Sequence, residues 1–290
     1  MTWILFTCFA AFCQAGRNAL QSQLSQHLSV PAVTLARFLW AGPLAFVYLL
    51  SLYAAAPADA PLLSNNTISY VVGAAIMQIV ATALMVVLFK QENFAIGAGL
   101  AKCEAPVAAF LGVLFFGTQL TLFGWIGVLI GAIAILMLSS PTKMTELSLK
   151  TVLLGLACSS AFALTSLWVR EATLAISLPF PHRAAWVLFL VISLQTIMLI
   201  GFMLITNPSS FKAMFAHKKR VAFTSIASFL GSLGWFSAMS LQTVPLVKTL
   251  GQIEIFFMML ISIFILKEIP PKKDVFALVL VATAAIFVMI

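Results

Sequence analysis

The sequence predicts an all-α membrane protein of ten transmembrane helices, arranged as two inverted five-helix repeats. Three observations carry that expectation. Of the 290 residues, 62% are hydrophobic and 8% charged, whereas soluble domains carry about 25% charged residues. Ten apolar runs long enough to cross a bilayer divide the chain. The two halves also align at a constant offset of 150 residues. A mean hydropathy of +1.11 agrees. Such a composition excludes a soluble enzyme, a disordered chain and a disulfide-stapled secreted domain.

The ten runs lie at about 2–24, 33–53, 68–89, 94–116, 121–139, 151–170, 182–206, 221–240, 245–266 and 274–290. The first is no obvious signal peptide. It lacks a basic leading region and runs into Gln14, Arg17, Asn18 and Gln21 without a small-residue cleavage site. Pro57 and Pro61 flank an Asn65-Asn66 turn, and Ser140-Pro141-Thr142-Lys143 ends the fifth run. Pro179 and Pro181 bracket the break before the seventh, and Asn207-Pro208-Ser209-Ser210 closes it. Pro270-Pro271-Lys272-Lys273 separates the last two. Connections are short except for about 54–67 and 207–220, so no soluble domain fits.

At the offset of 150, Cys8, Ala11 and Phe12 meet Cys158, Ala161 and Phe162; Ile76 meets Ile226; Leu100 meets Leu250; Glu104 meets Glu254; and Ala132 and Ala134 meet Ala282 and Ala284. Residues 1–140 and 151–290 are thus expected to be two repeats of one membrane domain. Five spans are an odd number, so the second repeat enters the membrane inverted. Inverted repeats are typical of secondary transporters, whose sites lie near the midplane between the halves.

The net charge is +8. In a polytopic protein basic residues sit mainly in cytoplasmic loops, so nucleic acid is not an expected partner. Cys8, Cys13, Cys103 and Cys158 lie in apolar runs without a Cys-x-x-Cys pair. The histidines His27, His182 and His217 share no ligand spacing. Neither a metal nor a cofactor is expected.

Ionisable groups within a span cost roughly 2.5–3.5 kcal/mol on insertion scales and usually face a cavity or a partner. Glu104 and Glu254 fall near the centres of spans 4 and 9, at equivalent repeat positions. Around them lie Lys102, and Lys248 and Gln252 at i and i+4. On a continuous helix Glu254 points about 200° away from Gln252, so one surface cannot present both. Arg17, Arg37 and Gln78 add polar groups to spans 1–3, and Trp235 sits mid-span beside glycines. These nine residues are the candidate substrate or translocation residues. Glu104–Lys102 or Glu254–Lys248 pairs with a purely structural role, snorkelling arginines, and Trp235 as packing bulk are the competing readings. The deep cations outnumber the deep carboxylates, which suits an anionic group. His182 and Arg183 read as interfacial anchors, and Gly127-x-x-x-Gly131 as a helix-packing face within the chain or in a homodimer.

The chain resembles the EamA-like branch of the drug/metabolite transporter superfamily. The likeness rests on ten spans, the five-plus-five repeat, Arg37-Phe38 opening span 2, Pro106 after Glu104, and Lys267-Glu268 closing span 9. The stretch Gly231 to Met239, continuing through Lys248 to Glu254, looks like helices eight and nine of that family. Thr118 after Gly117 departs from the family's Gly-Glu step. The resemblance implies a basket of helices with a central cavity, alternating access, and export of amino acids or related metabolites, in the plasma membrane (the inner membrane in bacteria).

The first functional expectation is therefore a secondary transporter of a small polar metabolite, with the lipid bilayer as its surroundings and a coupling proton as a candidate second ligand. The alternative is a flippase for a lipid-linked carrier. An intramembrane enzyme is not expected, because neither Gly-x-Ser-Gly with a deep histidine nor His-Glu-x-x-His occurs. No filter-like motif favours a channel. A monomer or homodimer fits. Basic residues concentrate in odd-numbered loops, among them Lys90, Lys143, Lys212, Lys218, Lys219 and Arg220; even-numbered loops hold Arg170 and Arg183. That bias places both termini outside the cytoplasm, whereas the family usually keeps them inside.

Overall fold

A computed structural model describes residues 1–90, 103–139, 149–261 and 272–289. Among them every regular element is helical. The first half contains α1 (Thr2–Ser25), α2 (Val30–Phe38), α3 (Ala41–Ala55), α4 (Asn65–Phe89), α5 (Glu104–Phe116) and α6 (Leu122–Ser139). The second contains α7 (Leu149–Leu174), α8 (His182–Thr206), α9 (Ser209–Ala216), α10 (Lys218–Leu241), α11 (Val244–Gly251), α12 (Glu254–Ile261) and α13 (Lys272–Phe287).

Among the described residues, five segments are long and apolar enough to cross a membrane: Val30–Ala55, Asn65–Phe89, Leu149–Leu174, His182–Thr206 and Lys218–Leu241. The protein is accordingly an all-helical, multi-pass membrane protein. Helix α1 is about 36 Å long at 1.5 Å per residue, but Gln14, Arg17, Asn18 and Gln21 lower its hydropathy. Its large apolar residues Leu5, Phe9 and Phe12 are exposed, while Arg17, Asn18 and Gln21 are buried. The helix is thus apolar outside and polar inside, as a helix lining a cavity in lipid must be.

Several boundaries differ from the sequence expectation, each for a local reason. Span 2 is interrupted at Leu39-Trp40, between α2 and α3. Pro43 lacks the N–H that would bond the Leu39 carbonyl, and its ring crowds that position. Neighbouring helices satisfy the freed backbone: Ser225 Oγ donates to the Ala36 carbonyl and accepts from Trp40 N, and Thr196 Oγ1 donates to the Phe38 carbonyl. The Asn65-Asn66 pair opens α4 rather than forming a turn, because the Ser64 hydroxyl caps it by accepting from Thr67 N at 3.1 Å. The connection 207–220 contains the short helix α9.

The fourth span is described only from Cys103 onward, where Glu104 opens α5. Its C-terminus closes on Gly117 at φ 61°, with Thr118 N bonding the Gly112 carbonyl. This closure, which reaches six residues back, needs the glycine and the next residue's backbone only, so threonine serves as well as glutamate. The ninth span is not one helix. It breaks at Gln252-Ile253, where Gln252 N, Ile253 N, Ile255 N and Phe256 N each bond the carbonyl three residues back. Residues 262–266 of that span lie outside the described set.

The most extensive helix contacts join the two halves. Helix α4 packs on α7, α1 on α10, α6 on α13 and α3 on α8. Gly234 on α10 lies against Ala10 and the Phe6 carbonyl of α1, where a Cβ would be 2.8 Å from each. At Gly127 on α6 a Cβ would be 2.7 Å from Val288 and 3.0 Å from the Ala284 carbonyl. The Gly127-x-x-x-Gly131 face is therefore filled from within the chain.

Candidate functional site

The polar residues buried along α1, α2, α4, α5, α7 and α10–α12 converge on one cavity of about 60 Å³ between the halves. Eight of the nine expected site residues line it: Arg17, Arg37, Gln78, Glu104, Trp235, Lys248, Gln252 and Glu254. Lys102 lies outside the described residues.

Both glutamates are the first residues of their helices, not mid-helix residues. A carboxylate there suits the positive end of the helix dipole. Glu104 Oε1 is 2.9 Å from Lys248 Nζ and accepts from Ser166 Oγ at 2.8 Å. Glu254 accepts from Gln14 Nε2 at 2.6 Å and from Asn18 Nδ2 at 2.8 Å. Lys248, a sequence-level candidate to pair with Glu254, thus ion-pairs with the glutamate of the other half. Gln252 and Glu254 both face the cavity, contrary to the 200° argument, because the helix breaks between them and regular spacing no longer applies.

Trp235 is a wall of the cavity rather than lipid-facing bulk. Its indole N–H donates to Gln14 Oε1 at 2.9 Å, and Lys248 Nζ stands 4.2 Å from the centre of its ring. A cation held at that distance over an indole face is attracted by the ring quadrupole. Gly251 lets the indole lie flat, since a Cβ there would collide with the ring.

Arg17 and Arg37 do not snorkel: they are 1% and 3% exposed. Arg17 donates to Asn18 Oδ1 from Nη2 at 3.0 Å, and Arg37 Nη1 donates to Thr82 Oγ1 at 2.7 Å. The Arg37 guanidinium also lies over Phe38 and Phe162. Gln78 accepts from Gln195 Nε2 at 2.6 Å, which ties α4 to α8.

The expected interfacial anchors are structural ties. His182 is buried, with Nε2 2.7 Å from the Ala56 carbonyl. Arg183 donates to Ser240 Oγ and to its carbonyl, and Arg170 donates to the Met239 and Gln242 carbonyls. Each cation satisfies carbonyls at the C-terminal end of α10. Ser166, Gln14 and Asn18 were not among the expected site residues, although they hold the two carboxylates. Gln14 and Asn18 share a face at i and i+4, which was legible. Ser166 is a small hydroxyl in an apolar run, with nothing to distinguish it before its partner is known. Among the described residues no group of three His, Cys, Asp or Glu side chains could hold a metal.

A bundle of lipid-facing apolar helices around a buried, charge-lined cavity defines a polytopic membrane protein. Residues 1–140 match the model of the EamA-like transporter family, within the drug/metabolite transporter superfamily, as the sequence resemblance implied. That family is one of transporters, not enzymes. No curated protein matches the sequence. A solved structure described as "Crystal structure of protein" has the same fold at a TM-score of 0.70 and 14% identity, covering 99% of this chain and 96% of its own.

Proposed function

We propose that the chain is a secondary transporter of small polar metabolites, an amino-acid or metabolite exporter working by alternating access between two inverted five-helix halves. One observation carries the proposal. Each repeat-equivalent glutamate is held by the first helix of the opposite half: Glu104 by Ser166 on α7, and Glu254 by Gln14 and Asn18 on α1. The helix packing follows the same exchange, first helix on third and third on first. A site shared in this way is rebuilt whenever one half rocks against the other, which is how inverted-repeat transporters expose a site to alternate sides.

Within this reading the Lys248–Glu104 pair and the Glu254 cluster are the polar contacts that break and remake. Glu104 and Glu254 are the groups for a coupling proton or for gating; Lys248, Gln252, Arg17 and Arg37 hold solute. The bacterial inner membrane is the proposed location. Flux of amino acids and organic metabolites through the reconstituted chain, with and without a pH gradient, tests it. Saturable flux that falls at least tenfold in Glu104→Gln or Glu254→Gln is expected. Absence of flux for every solute under both conditions would remove the proposal.

A second reading, a flippase for a lipid-linked carrier, is favoured by one feature. An apolar groove of about 800 Å³ runs between α5 and α7, lined by Val107, Phe110, Phe115, Leu164 and Trp168 among others. Such a groove has the chemistry of an acyl-chain site. Competition of a polyprenyl phosphate against water-soluble metabolites separates the two readings.

A further inference from the structure

Buried polar atoms almost always have partners, and each exception calls for an explanation. Three residues lining the cavity leave hydrogen-bonding atoms with no partner among the described residues: Arg17 Nη1, Arg37 Nε, and both amide atoms of Gln252. All three side chains are more than nine-tenths buried. The two carboxylates of the cavity already accept hydrogen bonds, Glu104 from Ser166 and Glu254 from Gln14 and Asn18. Three of the four unpartnered atoms are N–H donors, and two of those belong to guanidinium groups.

Charge narrows the choice. Among the described residues the lining holds three cations, Arg17, Arg37 and Lys248, against two carboxylates, Glu104 and Glu254. One positive charge is left over. A buried net charge is costly, and a ligand of opposite charge offsets that cost. A monoanion cancels it, a zwitterion or neutral solute leaves it, and a dianion reverses it. The cavity is also small, so the group that enters it is compact.

We propose that the solute is an organic acid bearing a single carboxylate and a net charge of −1, its carboxylate bound by the unpartnered N–H groups of Arg17 and Arg37. Planar guanidinium groups match a carboxylate's two oxygens. Gln252 also lines the cavity, and in this proposal its amide bonds a hydroxyl or carbonyl elsewhere on the solute. Gly131 makes room for that amide: a Cβ there would be 2.5 Å from Gln252 Oε1. The inference rests on the transporter reading and specifies its substrate class.

Binding is measured on the full chain in detergent or nanodiscs at neutral pH. The probes are 2-hydroxypropanoate and benzoate, their uncharged amides, alanine as a zwitterion, and inorganic phosphate. Saturable binding of at least one acid is expected, at least tenfold tighter than its amide, alanine or phosphate. Arg17→Gln and Arg37→Gln are each expected to weaken it at least tenfold. Where either fails to fold, Arg17→Lys and Arg37→Lys keep the charge but lose the fork, and a several-fold weakening is expected. Equal binding of acid and amide, preference for alanine or phosphate, no binding of either acid, or unchanged binding in the arginine variants would overturn the inference. Proteoliposome flux separates the two proposals. Flux of neutral or cationic solutes without acid binding leaves transport standing and removes the carboxylate site. Acid binding without flux of any solute keeps the site and removes transport.

Discussion

Lys248 and Glu104 form an ion pair at 2.9 Å that joins α11 of the second half to α5 of the first, with side chains 10% and 15% exposed. The lysine is held simultaneously over the Trp235 ring. The pair stands at the edge of the cavity, in partial contact with its contents, so its strength lies between a surface pair and a dry one.

A double-mutant cycle measures that strength. Glu104→Gln and Lys248→Met are each expected to destabilise the detergent-solubilised protein, and the two together to cost less than their sum. A coupling of about 1–3 kcal/mol is expected from contacting charged groups. Strict additivity in thermal or denaturant unfolding would show that the pair contributes nothing to the resting conformation.

Gly251 and Trp235 should be coupled sterically. Gly251→Ala places a methyl against the indole, and overpacking of this kind costs about 1–3 kcal/mol. Trp235→Phe removes the outer edge of that ring system. The double variant is therefore expected to regain part of the stability lost by Gly251→Ala. The rescue will be incomplete, because phenylalanine cannot donate to Gln14 Oε1.

The two glycines of α6 should respond differently to alanine. At Gly127 the new methyl meets a backbone carbonyl and Val288. That neighbour cannot easily move, and a loss of about 1–3 kcal/mol is expected. At Gly131 the three atoms nearest to the methyl belong to the movable amide of Gln252. A loss below about 1 kcal/mol is expected there, together with altered solute binding. Melting temperatures and binding titrations of the two variants give the comparison directly.

Topology should follow the basic loops, because the structure brings two of them, at Lys90 and at Lys218 to Arg220, to one end. Lys90 Nζ bonds the Leu28 carbonyl, and His27, next to Leu28, stacks on His217 beside Lys218, Lys219 and Arg220. Both described ends of the chain lie at the other end, where Trp3 and Ile4 pack with Leu250, Ala285 and Val288. The positive-inside rule then puts both termini outside the cytoplasm. A C-terminal fusion to a reporter active only outside the cytoplasm is expected to be active, and one active only inside to be silent. The reverse pattern would place the basic end outside.

The bilayer as solvent, most helix positions, and the short set of polar residues worth attention were legible in the sequence. Those features depend on local composition and on runs of apolar residues, which a single chain displays in order. The offset of 150 also set Glu104 and Glu254 at matching positions along the sequence. Tertiary structure decided what those residues do for one another. Lys248 pairs with the glutamate of the opposite half; Gln252 and Glu254 face one cavity because their helix breaks between them; Arg17 and Arg37 are sealed inside rather than reaching for an interface. None of this follows from spacing along one helix. It depends on which helix of the other half, more than a hundred residues away, is packed alongside, and that close approach rests on small residues such as Gly234 and Gly127.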